Sequence, residues 1–569
     1  MNRRKFLKQS AQGFGAGWLL YSPLAYFLSH IMNGYTYRAE AQAIGGEGAY
    51  DNSMKLINVC MNGAPSRWFW DCPLRPNGSS DGFRYNAQND PKTSMLITRL
   101  NPALSTHEGI AGYCGEYATH QVNGVHLPYL WAGKIARPGG GSAQMDLLAK
   151  NMLMMRGLHT LDGHVNAGLP VAPPGGASLG GILAESSHKV FPAVGYRTDK
   201  RFYRSSKGIP MEYLASSGPL TKLFSPFDLL TTVLESNSSS VGDAMDVALE
   251  AMKRQAGDRH RMFPNSYIQR QNAKRLMKLD YAQLNTVYNS LVAKYQSLLS
   301  RSFGEASLRL AGADDVPLVG QDQVNPFRTE IAGTFGYYTG ADITSMLTTG
   351  SNIEYLAPGF AVSEFMMTGG SMFQRDFSSF ANIVLGASFR GAQNVDAAGG
   401  TTVISVDAHA SGAYVQLVSF SRYFRGLSSC LYELIEQLKS RATPDGGNLF
   451  DKTVITLTSE FARDAWDDGK GADHGPAGSN YSILSGQIKN TTVVGDIKIE
   501  ATQALQKRNT WGEAAGLVTL GGQKAGYGNA VSTVASLLQI PSPAPNHHPL
   551  ITKGTNGEWV STVGGPKNV

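Results

Sequence analysis

The sequence predicts an α/β fold, a mainly parallel sheet sandwiched by helices, with a helical insertion. Short apolar runs, such as "LINVCM" at 56–61 and "VITLT" at 454–458, are followed by polar residues, and such runs are typical of strands buried on both faces. An amphipathic helix at 420–443 separates two of the strand candidates. The order strand, helix, strand favours a parallel sheet covered by helices.

The composition is that of a globular protein, with 42% hydrophobic and 17% charged residues among 569. A chain of this length forms one large domain with insertions, or two domains. The 64 glycines indicate many turns and long loops. The formal net charge is +6, of which residues 1–43 contribute +4 from five basic residues and one acidic residue. The nearly neutral remainder has no basic run with interleaved aromatic residues, so nucleic-acid binding has no support.

Residues 1–43 have the order of an export signal. Arg3 and Arg4 precede an uncharged stretch at 9–37, and Ala41-Gln42-Ala43 supplies a cleavage site. The paired arginines, followed by "KFLK", resemble a twin-arginine (Tat) signal. The implied partner is the Tat export machinery, and the implied location is periplasmic or extracellular. An uncleaved membrane anchor is the alternative, because about twenty residues can span a bilayer.

The mature chain divides by pattern into a main domain and an insertion. Residues 225–312 carry apolar residues at helical spacing with Lys and Arg between them, which predicts a helical insertion or cap. Residues 44–224 and 313–569 then form the α/β domain. Further strand candidates are "NMLMMRGL" at 151–158 and "FANIVLGAS" at 380–388, and "LGGILAES" at 179–186 predicts a short helix.

Polar residues follow the predicted strands. The run "GTTVISVDAHAS" ends with Asp407 and His409, and these two residues face the same side because side chains alternate along a strand. Together with the helix at 420–443 and the strand ending at Glu460, this run predicts a βαβ unit. The segment after Glu460, with Asp473 and His474, is predicted as a loop crossing the same edge of the sheet.

Carboxylates and imidazoles gathered at one sheet edge predict a metal site. In open parallel sheets, ligands bind outside the carboxyl ends of the strands. Carboxylate oxygen and imidazole nitrogen suit zinc or manganese, and sites with fewer histidines suit calcium or magnesium. Each motif alone is also typical of a turn or cap. His164 follows the strand candidate at 151–158 and is a further ligand candidate, with a plain loop histidine as the alternative.

Four cysteines occur, and none has zinc-knuckle spacing. In an exported protein, Cys60 is a disulfide candidate with Cys72 or Cys114, whereas buried thiols are the alternative.

Several motifs together resemble the DUF1501 family, whose Tat-exported members are related to the alkaline phosphatase and sulfatase superfamily. The most specific match is "VITLTSEFARD" followed by "GADHGPAGSNYSILSGQIKNTTVVGDI". Looser matches are "SVDAHAS", "MRGLHTLDGHVNAG" and "INVCMNGAPSRWFWDCPLRP". Their order agrees over residues 54–545.

The resemblance implies an alkaline-phosphatase-like fold with metal ligands at strand ends. Such metals activate a hydroxyl or water and bind a phosphate or sulfate oxyanion. Arg463 would contact the anion, and Thr160 and Ser66 are the nucleophile candidates, each needing activation by a metal. By position, the implied metal ligands are Asp407, His409, Glu460, Asp473 and His474, with His164 opposite.

The first-strand loop departs from the family pattern. The family places a His and an Asp after Pro-Ser, whereas this chain has Arg67, then bulky aromatic residues, and only later Asp71. Two hypotheses follow. The first is an exported metal-dependent hydrolase acting on phosphate or sulfate esters. The second is a non-catalytic envelope or secreted protein that binds a protein partner or a glycan, in keeping with its aromatic-rich loops.

Overall fold

The computed structural model describes only part of the chain. The predicted leader, Cys114, Asp407 and His409 lie outside the described residues. None of the helices in the described part is long and apolar enough to cross a membrane. The described residues are 50–72, 93–97, 115–187, 189, 191–214, 281–305, 308, 356–373, 375–386, 388–393, 401–405, 413–465, 472–475, 477–500, 510–515 and 524–562.

A mainly parallel sheet forms the centre of the molecule. Eight strands form it, and a ninth extends one edge by antiparallel pairing. Numbered in chain order and listed from edge to edge, the strands are β18 (Thr510–Ala515), β17 (Thr492–Glu500), β7 (Met152–Leu158), β16 (Ser479–Ser485), β13 (Thr453–Thr458), β1 (Lys55–Asn62), β10 (Phe380–Gly386), β8 (Ala193–Tyr196) and β9 (Glu212–Leu214).

Seven of these nine strands run parallel, and β16 and β18 run in the opposite direction. The described helices are α1 (Leu179–Ser186), α2 (Tyr281–Gly304), α3 (Leu356–Thr368), α4 (Gly370–Phe373), α5 (Ala413–Lys439) and α6 (Tyr527–Leu538). The smaller sheets are β2 (Thr93–Ile97) with β3 (Gly115–Val122) and β4 (Val125–Pro128), β5 (Lys134–Ala136) with β6 (Ser142–Gln144), β11 (Ser388–Gln393) with β12 (Thr401–Ser405), β14 (Ala462–Ala465) with β15 (Ala472–Gly475), and β19 (Ile551–Lys553) with β20 (Trp559–Ser561).

Both faces of the central sheet are buried, which confirms the predicted α/β class. Successive β1 side chains point to opposite faces: Ile57 and Val59 pack in the core shared with α2, α3 and α5. Leu56 and Cys60 pack in the core shared with α1 and α6. This double burial explains why β1 is a continuous apolar run rather than an alternating one.

Helix α2 lies in the segment that the sequence assigned to an insertion or cap. Its Tyr295 and Leu298 are buried in the same core cluster as Phe360 of α3 and Leu427 of α5. Helix α2 therefore belongs to one of the two helical layers. Residues 225–280 of the predicted insertion lie outside the described part of the chain.

The predicted βαβ unit from 401 to 460 is wrong in its first strand. Helix α5 and strand β13 form, but β12 pairs antiparallel with β11 in a separate two-stranded sheet. An apolar run identifies a strand without identifying its partner, and here the preceding segment supplies that partner. In the described structure, strand β12 is therefore not part of the central sheet.

A buried cluster of charges lies at the start of β1. Lys55, which is fully buried, contacts Asp376 at 2.8 Å, and Lys189 contacts Asp376 at 2.6 Å. Asp51 also lies 2.6 Å from Lys189. Burial alone would raise the pKa of Asp51, but the two lysines outweigh it and bring that pKa well below its ordinary value. The cluster compensates the charge that Lys55 brings into the core.

Replacing Asp376 is expected to destabilise the fold. Asp376→Asn leaves two buried ammonium groups with only the partly exposed Asp51 as counter-charge, so we expect the free energy of unfolding to fall by about 3 kcal/mol in urea denaturation. The control is Asp445→Asn, which removes an exposed partner of Lys452 and should leave the free energy of unfolding nearly unchanged. Equal losses in the two variants would contradict this role.

Candidate functional site

The site begins at the carboxyl end of β1. Gly63 and Ala64 follow this strand with φ angles of 100° and 50°, both in the left-handed region. Their backbone N–H groups donate to Glu460, from Gly63 to Oε1 at 2.8 Å and from Ala64 to Oε2 at 3.1 Å. Successive N–H groups in such a turn form a nest that binds anions. In this structure the bound anion is the Glu460 carboxylate.

Glu460 reaches this nest because its strand is the neighbour of β1. Strands β1 and β13 are parallel, with Cys60 opposite Thr458. Glu460 lies two residues beyond Thr458, and the Gly63–Ala64 turn begins directly after β1 ends at Asn62, so both lie at the same edge of the sheet. The sequence correctly predicted that β13 leads into Glu460, but it gave no sign of the nest.

Arg463 supports the same turn from its other side. Its Nε donates to the Ala64 carbonyl at 2.9 Å and its Nη2 to the Gly63 carbonyl at 2.8 Å. The indole Nε1 of Trp68 donates to the Arg463 carbonyl at 3.0 Å. These two guanidinium nitrogens thus bind backbone rather than the anion expected from the sequence.

His164 is oriented by Glu460. It lies in a 3-10 turn (His164–Asn166) that follows β7. Its Nδ1 is 3.2 Å from Glu460 Oε1, and its side chain is 40% exposed. The carboxylate beside Nδ1 selects the tautomer with the proton on Nδ1 and the lone pair on Nε2. The ring is thereby fixed at the border between the protein interior and solvent.

His474 stands beside His164 in a second pair of the same kind. Its Nδ1 is 2.5 Å from Asp162 Oδ1. The two imidazole rings meet edge to face with centroids 5.1 Å apart. Phe461 packs against both rings, at 4.0 Å from His474 and 5.2 Å from His164. The structure therefore brings together His164, His474 and Glu460 from three separate segments.

The segment after Glu460 is not the irregular loop that the sequence predicted. Strands β14 and β15 form an antiparallel ribbon in which Arg463 is opposite His474. This pairing fixes His474 relative to Glu460, only three residues before Arg463. Asp473 lies on the ribbon opposite Asp464, but its side chain is outside the described part.

Asp71 does not join this group. Its carboxylate forms a buried ion pair with Arg67, through Arg67 Nε at 2.8 Å and through Nη2. Ser482 Oγ donates to Asp71 Oδ2 at 2.5 Å. Trp70 is fully buried, stacks on Phe424 and donates to Ser428. In the loop after β1, Trp70 thus fills the core and Arg67 balances the charge of Asp71.

The nucleophile candidates are both buried. The Thr160 Oγ1 is 2.8 Å from Ser479 Oγ, which also accepts the Ala462 N–H at 3.0 Å. This contact joins the end of β7 to β16 and β14. Ser66 is fully buried directly before the 3-10 turn at Arg67–Phe69.

Among the described residues, Cys60 and Cys72 are not joined by a disulfide. Cys60 faces the core of the sheet, and burial, followed by the charge of Glu460, raises the pKa of its thiol. Cys60 and Cys72 are thus buried thiols in this structure, which is the alternative given above, and the Cys60–Cys114 pairing stays a prediction because Cys114 lies outside the described residues.

The described residues bring two candidate metal ligands together, His164 and His474. They contain no group of three or more His, Cys, Asp or Glu side chains placed to bind an ion. The His164–His474 pair offers two imidazoles, each oriented by a carboxylate as metal-ligating histidines usually are. A zinc site needs at least three protein ligands. The side chains of the other ligand candidates, Asp407, His409 and Asp473, lie outside the described part of the chain.

Comparisons with known proteins assign neither a family nor a function to the chain. No family model matches the chain, and searches of the curated proteins and of the solved structures found no match.

Three contributors to the site were not foreseen as such. Gly63 and Ala64 act through their backbone, and Phe461 packs the histidine pair. The only sequence signal for the turn is the glycine after β1, because an alanine in the left-handed region leaves no trace in a sequence. Phe461 could have been identified from the sequence, because it directly follows the candidate ligand Glu460.

We expect Asp71→Asn to destabilise the fold without changing metal binding. The variant leaves the Arg67 guanidinium buried without its counter-charge, so the free energy of unfolding should fall by about 3 kcal/mol. The rise in melting temperature on adding Zn²⁺ to chelator-treated protein should match that of the wild type. Asp146→Asn, which removes a partly exposed acid, is the control. Loss of the Zn²⁺ effect in Asp71→Asn would instead make Asp71 a ligand.

Proposed function

We propose that the chain is an exported metal-dependent hydrolase of the phosphate- or sulfate-ester class, with its ion bound by His164 and His474. The observation that carries this proposal is the histidine pair itself. Each imidazole has its Nδ1 on a carboxylate, and the two rings are in contact at one edge of the sheet. Carboxylate-oriented imidazoles serve as metal ligands or as general bases in hydrolysis.

The position of the pair also supports a binding role. His164 follows β7, Glu460 follows β13, and both strands end at the edge where parallel sheets bind ligands. His164 is partly exposed while Glu460 is buried, so the ring can meet a substrate while its acceptor is shielded from water. A bound divalent ion would activate water and stabilise the oxyanion of an ester.

The resemblance to the DUF1501 family agrees with this proposal in two ways. The strongest matching motif contains Glu460, Arg463 and His474, which the structure brings into one neighbourhood. The leader with Arg3 and Arg4 fits export of a folded protein by the Tat machinery. The alkaline-phosphatase-like assignment remains part of the proposal.

A second candidate function is non-catalytic binding of a protein partner or glycan in the envelope. It is favoured by the first-strand loop, in which Asp71 is committed to Arg67 and Trp70 to the core. A two-metal site that needs a carboxylate from this loop is then incomplete. Metal content separates the two candidates.

His474→Ala tests the hydrolase proposal. The purified full chain should bind about one divalent ion by elemental analysis and cleave p-nitrophenyl phosphate or sulfate. In His474→Ala, we expect bound metal to be lost and kcat/KM to fall at least about 100-fold, because a ligand is removed. Asp162→Asn should lower metal affinity by about 10-fold to 100-fold.

The matched control is His120→Ala. His120 is also paired with an acid, Asp146 at 3.3 Å, and its exposure of 27% is close to the 21% of His474. Asp146 precedes β7, so this pair lies away from the end of that strand. Wild-type protein that is folded, metal-free and inert would reject the hydrolase and favour the binding protein.

Export is tested by the leader. Replacing Arg3 and Arg4 by lysine should retain the protein in the cytoplasm, since the paired arginines are the feature that the Tat machinery reads. Cell fractionation of a Tat-competent bacterial host measures this. Arg38→Lys, in the same leader but outside the pair, is the control. Unchanged export of the double variant would argue against this route.

A further inference from the structure

The side chain of Arg463 has a place in the site that the proposed function does not use. It is 1% exposed and makes its backbone contacts with the turn that follows β1. That turn in turn binds Glu460, and Glu460 contacts His164. Four groups thus form one continuous hydrogen-bonded chain from β14 to the histidine pair.

We infer that Arg463 is a positioning residue that sets the orientation and tautomer of His164 through the Gly63–Ala64 turn and Glu460. The inference rests on the proposed function only in so far as it gives Arg463 a role in catalysis. The geometric claim concerns the ring alone and can be tested in metal-free protein.

The physical basis lies in the two sides of the peptide unit that joins Gly63 to Ala64. A guanidinium donates in a planar fork, and here that fork binds the carbonyls of Gly63 and Ala64. The Gly63 carbonyl and the Ala64 N–H belong to the same planar peptide unit, so fixing that carbonyl directs that N–H toward Glu460. Ala64 has a φ of 50°, a left-handed conformation that is unfavourable for a residue with a Cβ atom. The turn therefore needs outside contacts, and Arg463 and Glu460 supply them on opposite sides.

Glu460 in turn determines what His164 presents to solvent. Its Oε1 receives the Gly63 N–H and the His164 Nδ1, so a movement of the turn moves the acceptor of the imidazole. The tautomer of a histidine is set by the hydrogen bond at its other nitrogen. Loss of this bond would redistribute the proton between Nδ1 and Nε2 and release the ring.

Trp68 and the ribbon reinforce the position of Arg463. The indole N–H binds the Arg463 carbonyl, and β15 places His474 opposite Arg463. The Phe461 ring contacts both histidines and also lies 5.4 Å from the guanidinium carbon of Arg463. The backbone of Arg463 is thus held in place by contacts that do not involve its own side chain.

The experiment compares two buried arginines. Arg463→Lys removes the fork while keeping the charge, and Arg463→Met removes both. Arg156→Lys is the matched control, because Arg156 is also fully buried and its Nε donates to a backbone carbonyl, that of Asp71 at 2.8 Å. Each variant of the full chain is treated with chelator, and the His164 tautomer is read from the ¹⁵N chemical shifts of its ring.

We expect the wild type and Arg156→Lys to have the proton on Nδ1. In both Arg463 variants the ratio of Nδ1–H to Nε2–H should fall at least about tenfold, which corresponds to losing one hydrogen bond to a charged group. An unchanged ratio in a folded Arg463 variant overturns the inference. So does an equal change in Arg156→Lys, because the effect would then be general to buried arginines.

A second measurement applies if both Arg463 variants fail to fold. In the wild type, the amides of Gly63 and Ala64 must then exchange with solvent as slowly as those of β13, since Glu460 binds them. Exchange at the rate of exposed loops overturns the inference. Neither readout needs activity, so an inert wild type with the expected tautomer rejects the proposed hydrolase and leaves the positioning role intact.

Discussion

The binding of Glu460 by two backbone N–H groups is the interaction on which this edge of the molecule depends. It joins the ends of two adjacent parallel strands, β1 and β13, and places a carboxylate at the border between core and solvent. Arg463 fixes the turn from the opposite side, and His164 takes its orientation from the acid. A buried carboxylate is costly unless it is fully hydrogen-bonded, so the nest, the guanidinium and the imidazole form a set whose members need one another.

The same requirement governs the other buried charges. Lys55 at the start of β1 has Asp376, and Arg67 after its end has Asp71. Each of these pairs balances a charge within the core. Removing one partner of a buried ion pair destabilises a fold more than replacing the whole pair by apolar residues. The consequence for function is that Asp71 is used for stability. Among the described residues of this edge, the histidine pair is the group on which our proposal places metal binding.

The sequence predicted the strands that are buried on both faces, because a short continuous apolar run is typical of such a strand. It also predicted that Glu460 and His164 would lie at strand ends. It was wrong about β12, whose apolar run pairs with its neighbour β11 instead of joining the central sheet. It also missed the ribbon that carries His474, since short strands such as β14 and β15 are rich in polar and small residues and look like a loop.

The sequence by itself determined the fold class and the residue types available at the edge of the sheet, because burial periodicity and strand ends are local properties of a chain. Only the tertiary structure decided which polar groups meet. Asp71 and Glu460 are both acids near strand ends, yet one pairs with Arg67 and the other with a backbone nest and His164. Asp71 finds its partner four residues away, whereas the partners of Glu460 lie hundreds of residues away and are chosen by strand order and register, which no single segment of the sequence contains.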